Sequence, residues 1–318
     1  MVPLRESIVT LVLALVLHAM AYGSILALAA QGEVLAERAG VVDLGVEGLM
    51  ALGAVLAVIV ADATHSPWAG CLAAAAIGAA GAAAFGCATV ILGASQTLCG
   101  VALTLLGLGA SGVLGHSVAG RPVTATLPQW TLPGLSSGSP IGPVSSQGPM
   151  VWIAFLILPL ILHVFLFRTA PGLALRAVGE APASADASGL PVIRIRMLAV
   201  SAGGALAGLA GAAMTLSVLP VWSEGMIAGR GWIAVALVIL CGYRPVLAAL
   251  SSLFFGFVMS LGFFGQAQGW PVAPPLMNMS PYVVTILCMI VPSILFPKLR
   301  RLWAAPAALG APYRREER

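Results

Sequence analysis

Apolar residues fall in nine windows along the chain: Ile8 to Ala30, Val41 to Ala61, Ala69 to Gly93, Thr97 to His116, Pro149 to Phe167, Met197 to Leu219, Trp232 to Gly242, Pro245 to Gln266 and Ser280 to Phe296. A helix needs roughly 17–25 residues to cross the hydrocarbon core, and most of these windows qualify. The Trp232 to Gly242 window is too short to do so. Arg5 precedes the first window, as in a signal peptide, but that window exceeds a typical signal core and further spans follow, so it reads as a retained helix. The pattern predicts an all-α, polytopic membrane helix bundle of about 8–10 transmembrane helices.

The polar gaps set the topology. Residues 117–148 are rich in Ser, Pro and Gly and carry only Arg121 as a charge, which predicts an external loop. Between Phe167 and Met197 lie Arg168, Arg176, Arg194 and Arg196, and the tail adds Lys298, Arg300, Arg301, Arg314, Arg315 and Arg318. Both segments are predicted to face the cytoplasm. Four windows separate them, an even number, and the five that precede the first place the amino terminus outside. The reading is one transmembrane domain over residues 1–297, with 168–196 as a cytoplasmic loop inside it and 298–318 as a basic cytoplasmic tail.

Small residues mark where helices approach. Gly204 and Gly208 form a small-xxx-small pair, with Ala207 and Gly211 one turn along, and Ala73 to Ala84 with Gly78 and Gly81 makes a second such surface. The two halves also echo one another. Asp43 and Glu47 open one apolar run, and Glu224, Gly225, Gly229, Arg230 and Gly231 open a shorter one. Such a pair predicts discontinuous helices and inverted repeats around a site at mid-depth.

Composition narrows the class. Of the 318 residues 60% are hydrophobic and 8% charged, far below the roughly 25% charged of a soluble domain. The net charge of +4 is read as topology, not nucleic-acid affinity. Cys71, Cys87, Cys99, Cys241 and Cys288 are expected to be buried small hydrophobes, and four scattered histidines give no metal pattern. No HExxH motif occurs, which argues against a membrane-embedded metal enzyme. The only lysine is Lys298, so the chain lacks the phosphate-gripping loop of an ATPase.

Two stretches concentrate the chemistry. Asp43 and Glu47 are read as one helical turn apart at the head of an apolar run; at membrane depth such groups line a pathway or brace the bundle, and at the interface they merely cap the helix. Glu47 lies deeper and is the first candidate, with Gln96 as an amide partner, or else paired with Arg230 or Arg38 in a bracing role. Glu224, Arg230 and Trp232 flank a Gly-rich break that frees backbone groups for a cavity; Trp232 either stacks on a solute or sits in the interfacial belt. In residues 168–196, Pro171 begins a short helix that Gly179 ends, and Pro182 begins a second that Gly189 ends.

Glu37-Arg38-x-Gly40-Val41-x-Asp43-Leu44-Gly45-Val46-Glu47-Gly48-Leu49-Met50, Leu175-Arg176-Ala177-Val178-Gly179-Glu180-x-Pro182 with Gly189, and Glu224-Gly225-Met226-x-x-Gly229-Arg230-Gly231-Trp232-Ile233-Ala234 occur in that order. Together they resemble the permease subunit of bacterial ABC importers, in the nucleoside and simple-sugar branch related to the ribose and branched-chain amino acid permeases. The resemblance covers roughly residues 10 to 297. It departs at Asp43 and Ala181, where the branch usually has Asn, and the first change leaves the exact solute open. It implies an inner-membrane importer subunit for a nucleoside first and a simple sugar next. The carboxylates themselves leave a second reading, an ATP-independent secondary transporter or channel that uses Asp43, Glu47 and Glu224. Implied partners are a second permease, ATP-binding subunits and an extracytoplasmic solute-binding protein, with ATP and Mg held by the partner ATPase and no cofactor here. Arg176, Val178, Gly179, Glu180, Pro182 and Gly189 are implied to couple to that ATPase.

Overall fold

The computed structural model describes residues 4–131, 146–295 and 304–313. The chain is almost wholly helical: α1 Leu4–Arg38, α2 Val46–Thr64, α3 Pro67–Ile91, α4 Gln96–Gly115, α5 Pro149–Arg168, α6 Ala170–Glu180, α7 Pro182–Ala187, α8 Val192–Val218, α9 Arg230–Leu240, α10 Pro245–Ala267 and α11 Pro274–Leu295. Among the described residues seven helices are long and apolar enough to cross a membrane, and α9 and the apolar part of α11 are shorter. This is the polytopic all-α bundle that the hydropathy pattern predicts.

Local chemistry sets the helix ends. Ser66 caps α3 by accepting from the Ala69 amide, with Pro67 in its first turn. Ser95 caps α4 in the same way, so Gln96 opens a helix. The side chain of Thr169 accepts from the Gly172 amide to start α6. Turns of π-helix, Cys87–Ile91, Ile153–Ile157 and Met214–Val218, lie within α3, α5 and α8.

α1 is longer than its window predicts. It runs 35 residues, about 52 Å at 1.5 Å per residue, because Gln31, Glu33 and Glu37 are carried into the interior instead of ending the helix. Asp43 is not on a helix with Glu47: residues 39–45 form a non-helical turn, and α2 begins at Val46. In that turn Asp43 Oδ1 accepts the Gly45 amide at 2.8 Å, a local bond that competes with helix.

The two small-residue surfaces read from sequence pack on each other. A Cβ at Gly204 would strike Gly78 and Ala82 of α3, one at Gly208 would strike Ala74, and one at Gly211 would strike Met50 of α2. With no water to expel between helices in lipid, this close approach is what gives contact energy. α8 is thereby the central helix, held by α3, α2 and α1, while α1 also packs along α10. The cysteine expectation is corrected in part: Cys71 and Cys241 are buried, Cys99 and Cys288 half-buried, and Cys87 exposed.

One end of the bundle gathers Arg38, Arg168, Arg176, Arg194, Arg196 and Arg244, with α6 and α7. At the opposite end residues 117–131 join the stretch after α8. Ala119 and Pro122 bridge Trp222 and Val221, and a two-stranded ribbon pairs β1 Trp130–Thr131 with β2 Ser146–Gln147. Asp62 at the end of α2 accepts from Thr124 of this segment.

Candidate functional site

The two interrupted segments that echo one another in sequence meet in space. α9 has 11 residues and rises only about 16 Å, half of the ~30 Å hydrocarbon core. It ends beside Tyr243, whose carbonyl accepts from Arg38, so its amino terminus lies inside the bundle about 16 Å from that arginine-rich end. Glu47 sits there, 4% exposed. Its Oε1 accepts the Gly229 amide at 2.7 Å and its Oε2 the Gly231 amide at 2.6 Å, and the Trp232 amide also faces it. A carboxylate on the first amides of a helix meets both unpaired donors and the positive end of the dipole, and charge-assisted bonds of this kind are about twice as strong as neutral ones.

Gly229 makes the joint feasible. Its φ of +78° lies in the left-handed region, and an added Cβ would strike the Tyr282 hydroxyl. Arg230 does not pair with Glu47 by a direct contact: its Nη1 donates to the carbonyls of Met226 and Ile227 at 2.7 and 2.9 Å, tying down the preceding turn. Nor does Arg38, which donates to the Tyr243 and Gly242 carbonyls and lies over the rings of Phe167 and Tyr243.

Around this joint the buried polar groups are dense. Gln96 Oε1 accepts the Val42 amide at 2.8 Å, tethering the 39–45 turn to α4, and its Nε2 is buried without a partner. Thr104 donates to the Leu44 carbonyl from the same helix. Asp43 is buried, with Glu33 and Glu37 of α1 nearby, and each of those glutamates has one buried oxygen without a hydrogen bond. Glu33 escaped the sequence reading, although it stands four residues before Glu37, the spacing that puts two side chains on one helix face.

The other two pathway candidates lie apart. Glu224 is exposed on the turn before α9, in a crevice with Ser111, Gly112 and Trp222 near the outer end. Trp232 is 39% exposed at the bundle surface. Arg230 alone of the six lines a sizeable cavity, about 250 Å³, lined by α9, α10 and α11. A second, outer cavity of about 740 Å³ is lined by His18, Tyr22, Thr126, Gln129 and Ser217 among others. Tyr22 of that lining and Phe263 of the inner one stand ring to ring, centroids 5.0 Å apart. Tyr22, Phe263 and Tyr282 sit in ordinary apolar windows and Asn278 just before the last of them, so nothing in the pattern singled them out.

At the arginine-rich end α6 and α7 form a small knob around Val178, Ala185 and Val192. Gly179 rests on the Arg38 carbonyl with no room for a Cβ, and Arg176 donates to the Leu166 carbonyl at 2.9 Å while lying over Phe167. Pro182 opens α7, and Gly189, at φ +86°, closes the turn after it. The tail segment 304–313 is strapped across this knob. The Ala307 amide donates to Glu180 Oε2, the Ala308 amide to the Gly179 carbonyl, the Gly310 amide to the Gly40 carbonyl and the Tyr313 hydroxyl to Asp186. Arg196, 1% exposed, donates to the Ala39 and Ala311 carbonyls and so pins the turn and the tail to α8. The tail cations predicted from sequence lie outside the described residues.

Comparison with known proteins agrees with this architecture. The model of the family "Branched-chain amino acid transport system / permease component" matches residues 15–292. A Haloferax volcanii protein named as a glucose ABC transporter permease is 35% identical over 92% of this chain and 95% of its own length. The guanosine ABC transporter permease of Bacillus subtilis is 33% identical over 85% and 89%, and the nucleoside ABC transporter permease of Lactococcus lactis 32% identical over 86% and 90%. No solved structure matches significantly. With nearly its whole length covered, the chain belongs to the ABC transporter permeases of the branched-chain amino acid transport system permease family, multi-pass proteins of the inner membrane.

Proposed function

We propose that the chain is one of two permease subunits in an ATP-driven importer that moves a nucleoside, or failing that a simple sugar, into the cell. In this reading the solute arrives from an extracytoplasmic binding protein, ATP and Mg are held by a partner ATPase seated on α6 and α7, and no covalent chemistry occurs in this chain. The observation that carries it is a continuous mechanical path. Gly179 of the knob bears on Arg38, the 39–45 turn follows, and Glu47 beyond it grips the start of α9, on which Arg230 faces the inner cavity. A rigid-body shift of the knob is therefore delivered to a half-length helix at mid-depth, as alternating access requires. Support for the solute class comes from relatives named for glucose, guanosine and nucleosides.

A second reading has one observation in its favour: Glu33, Glu37 and Asp43 are buried together, and two of their oxygens lack hydrogen bonds. Intramembrane acids of that kind serve proton or ion coupling in secondary transporters. Uptake in proteoliposomes separates the two. The importer reading expects uptake only when the ATPase, ATP and the binding protein are present; ATP-independent uptake by this chain alone would establish the second.

A further inference from the structure

We propose that the cavity between α9, α10 and α11 is a base-binding site, taking the nucleobase of a nucleoside and not a sugar ring; this rests on the permease reading above. Its walls are Met259 and Phe263 from α10, Met277 and Tyr282 from α11, and its polar groups are Arg230 and Asn278. Tyr282 is held in place because its hydroxyl donates to the Ala228 carbonyl at 2.6 Å, which leaves the ring as wall. Rings and thioethers suit the flat, polarisable faces of a heteroaromatic ligand.

The polar groups set the edge chemistry. Arg230 is 8% exposed, its Nη1 is committed to the Met226 and Ile227 carbonyls, and its Nε is buried with no partner. Asn278 Oδ1 accepts from Gln266 Nε2, which leaves its amide hydrogens to donate at the rim. The cavity thus offers donors, and no carboxylate lines it. A hexose presents hydroxyls around its whole rim and needs acceptors as well as donors, whereas an oxo-base such as guanine presents adjacent carbonyl and ring-nitrogen acceptors that match an arginine. At about 250 Å³ the space is just below the ~300–1,000 Å³ of drug-sized sites, which fits one ring system with the attached ribose left outside. The contact between Tyr22 and Phe263 is where the outer cavity adjoins this one, so Phe263 both stacks on the base and borders its entry.

The test uses the full-length chain in nanodiscs with radiolabelled guanosine as probe and D-glucose as competitor. Guanosine should bind, and D-glucose at equal concentration should leave it in place. Phe263→Ala should weaken guanosine binding on the order of ten-fold, the scale of one lost stacking contact. Asn278→Leu, at an exposed position, should weaken it several-fold with an unchanged unfolding midpoint. Absence of guanosine binding, displacement by D-glucose, or parental affinity in both variants would each overturn the assignment. ATP-dependent glucose uptake without guanosine uptake by the assembled transporter would overturn the base site and leave the permease reading standing. ATP-independent uptake by the chain alone would instead remove the permease reading.

Discussion

The carboxylate of Glu47 accepts the backbone amide of Gly231 at 2.6 Å across 184 positions of sequence, and a second bond to Gly229 completes the grip. The acid that the sequence left open between solute contact and brace is bonded to main chain through both oxygens. Its removal therefore weakens the bundle before it touches transport.

Glu47→Gln keeps the shape and turns an NH2 toward one of the two donors. One buried amide then loses its acceptor, at a cost of about 1–3 kcal/mol. A lower thermal unfolding midpoint in detergent is expected, measured by fluorescence-detected size exclusion. An unchanged midpoint with lost uptake would return Glu47 to the solute path.

Gly78 and Gly109 make a matched pair. A side chain at Gly78 meets the Gly204 backbone, so Gly78→Val should overpack the α3 and α8 contact by about 1–3 kcal/mol or more and cut membrane yield sharply. Nothing lies within 4 Å of the position a Cβ would take at Gly109, so Gly109→Ala should be tolerated and gain up to about 1 kcal/mol in helix propensity. Equal yields of the two variants would contradict the packing.

Arg196→Leu removes the donors to Ala39 and Ala311 together. The orphaned Ala39 carbonyl costs about 1–3 kcal/mol, and the tail loses its anchor. Hydrogen exchange should rise in 304–313 and 39–45 while α3 stays protected. Unchanged exchange in the tail would refute the anchoring role.

Arg176 and Glu180 each tie the knob to a neighbouring segment, one through the Leu166 carbonyl and one through the Ala307 amide. Replacing both with alanine should leave the protein in the membrane while the assembled transporter hydrolyses ATP with little solute uptake. Normal uptake per ATP would remove these residues from the coupling path.

Much of the bundle was legible because lipid imposes one rule, a long apolar run per crossing. The short helices α6 and α7 were legible for another reason: Pro171, Pro182 and Gly189 punctuate the backbone directly. The last two turns of α1 were not, since Gln31, Glu33 and Glu37 look like an exit from the membrane and are in fact buried by neighbours far along the chain. Asp43 was misjudged because its side chain bonds locally to Gly45, which a helical reading of the spacing ignores. The walls of the inner cavity could not be seen either: Phe263 and Tyr282 are indistinguishable in sequence from lipid-facing aromatics until the fold sets Arg230 beside them. The tail strap uses backbone amides almost throughout, and main-chain donors carry no sequence signature.

That same anonymity gives the Glu47 joint an evolutionary property. A carboxylate that holds main chain asks only for small residues at its partner positions and is blind to what is being carried. The cavity beside α9 is lined by Arg230, Phe263 and Asn278 among others. On the base-site proposal, changes at Phe263 or Asn278 shift cargo preference without touching that joint, and one machine can diversify toward bases or sugars by repainting a single chamber.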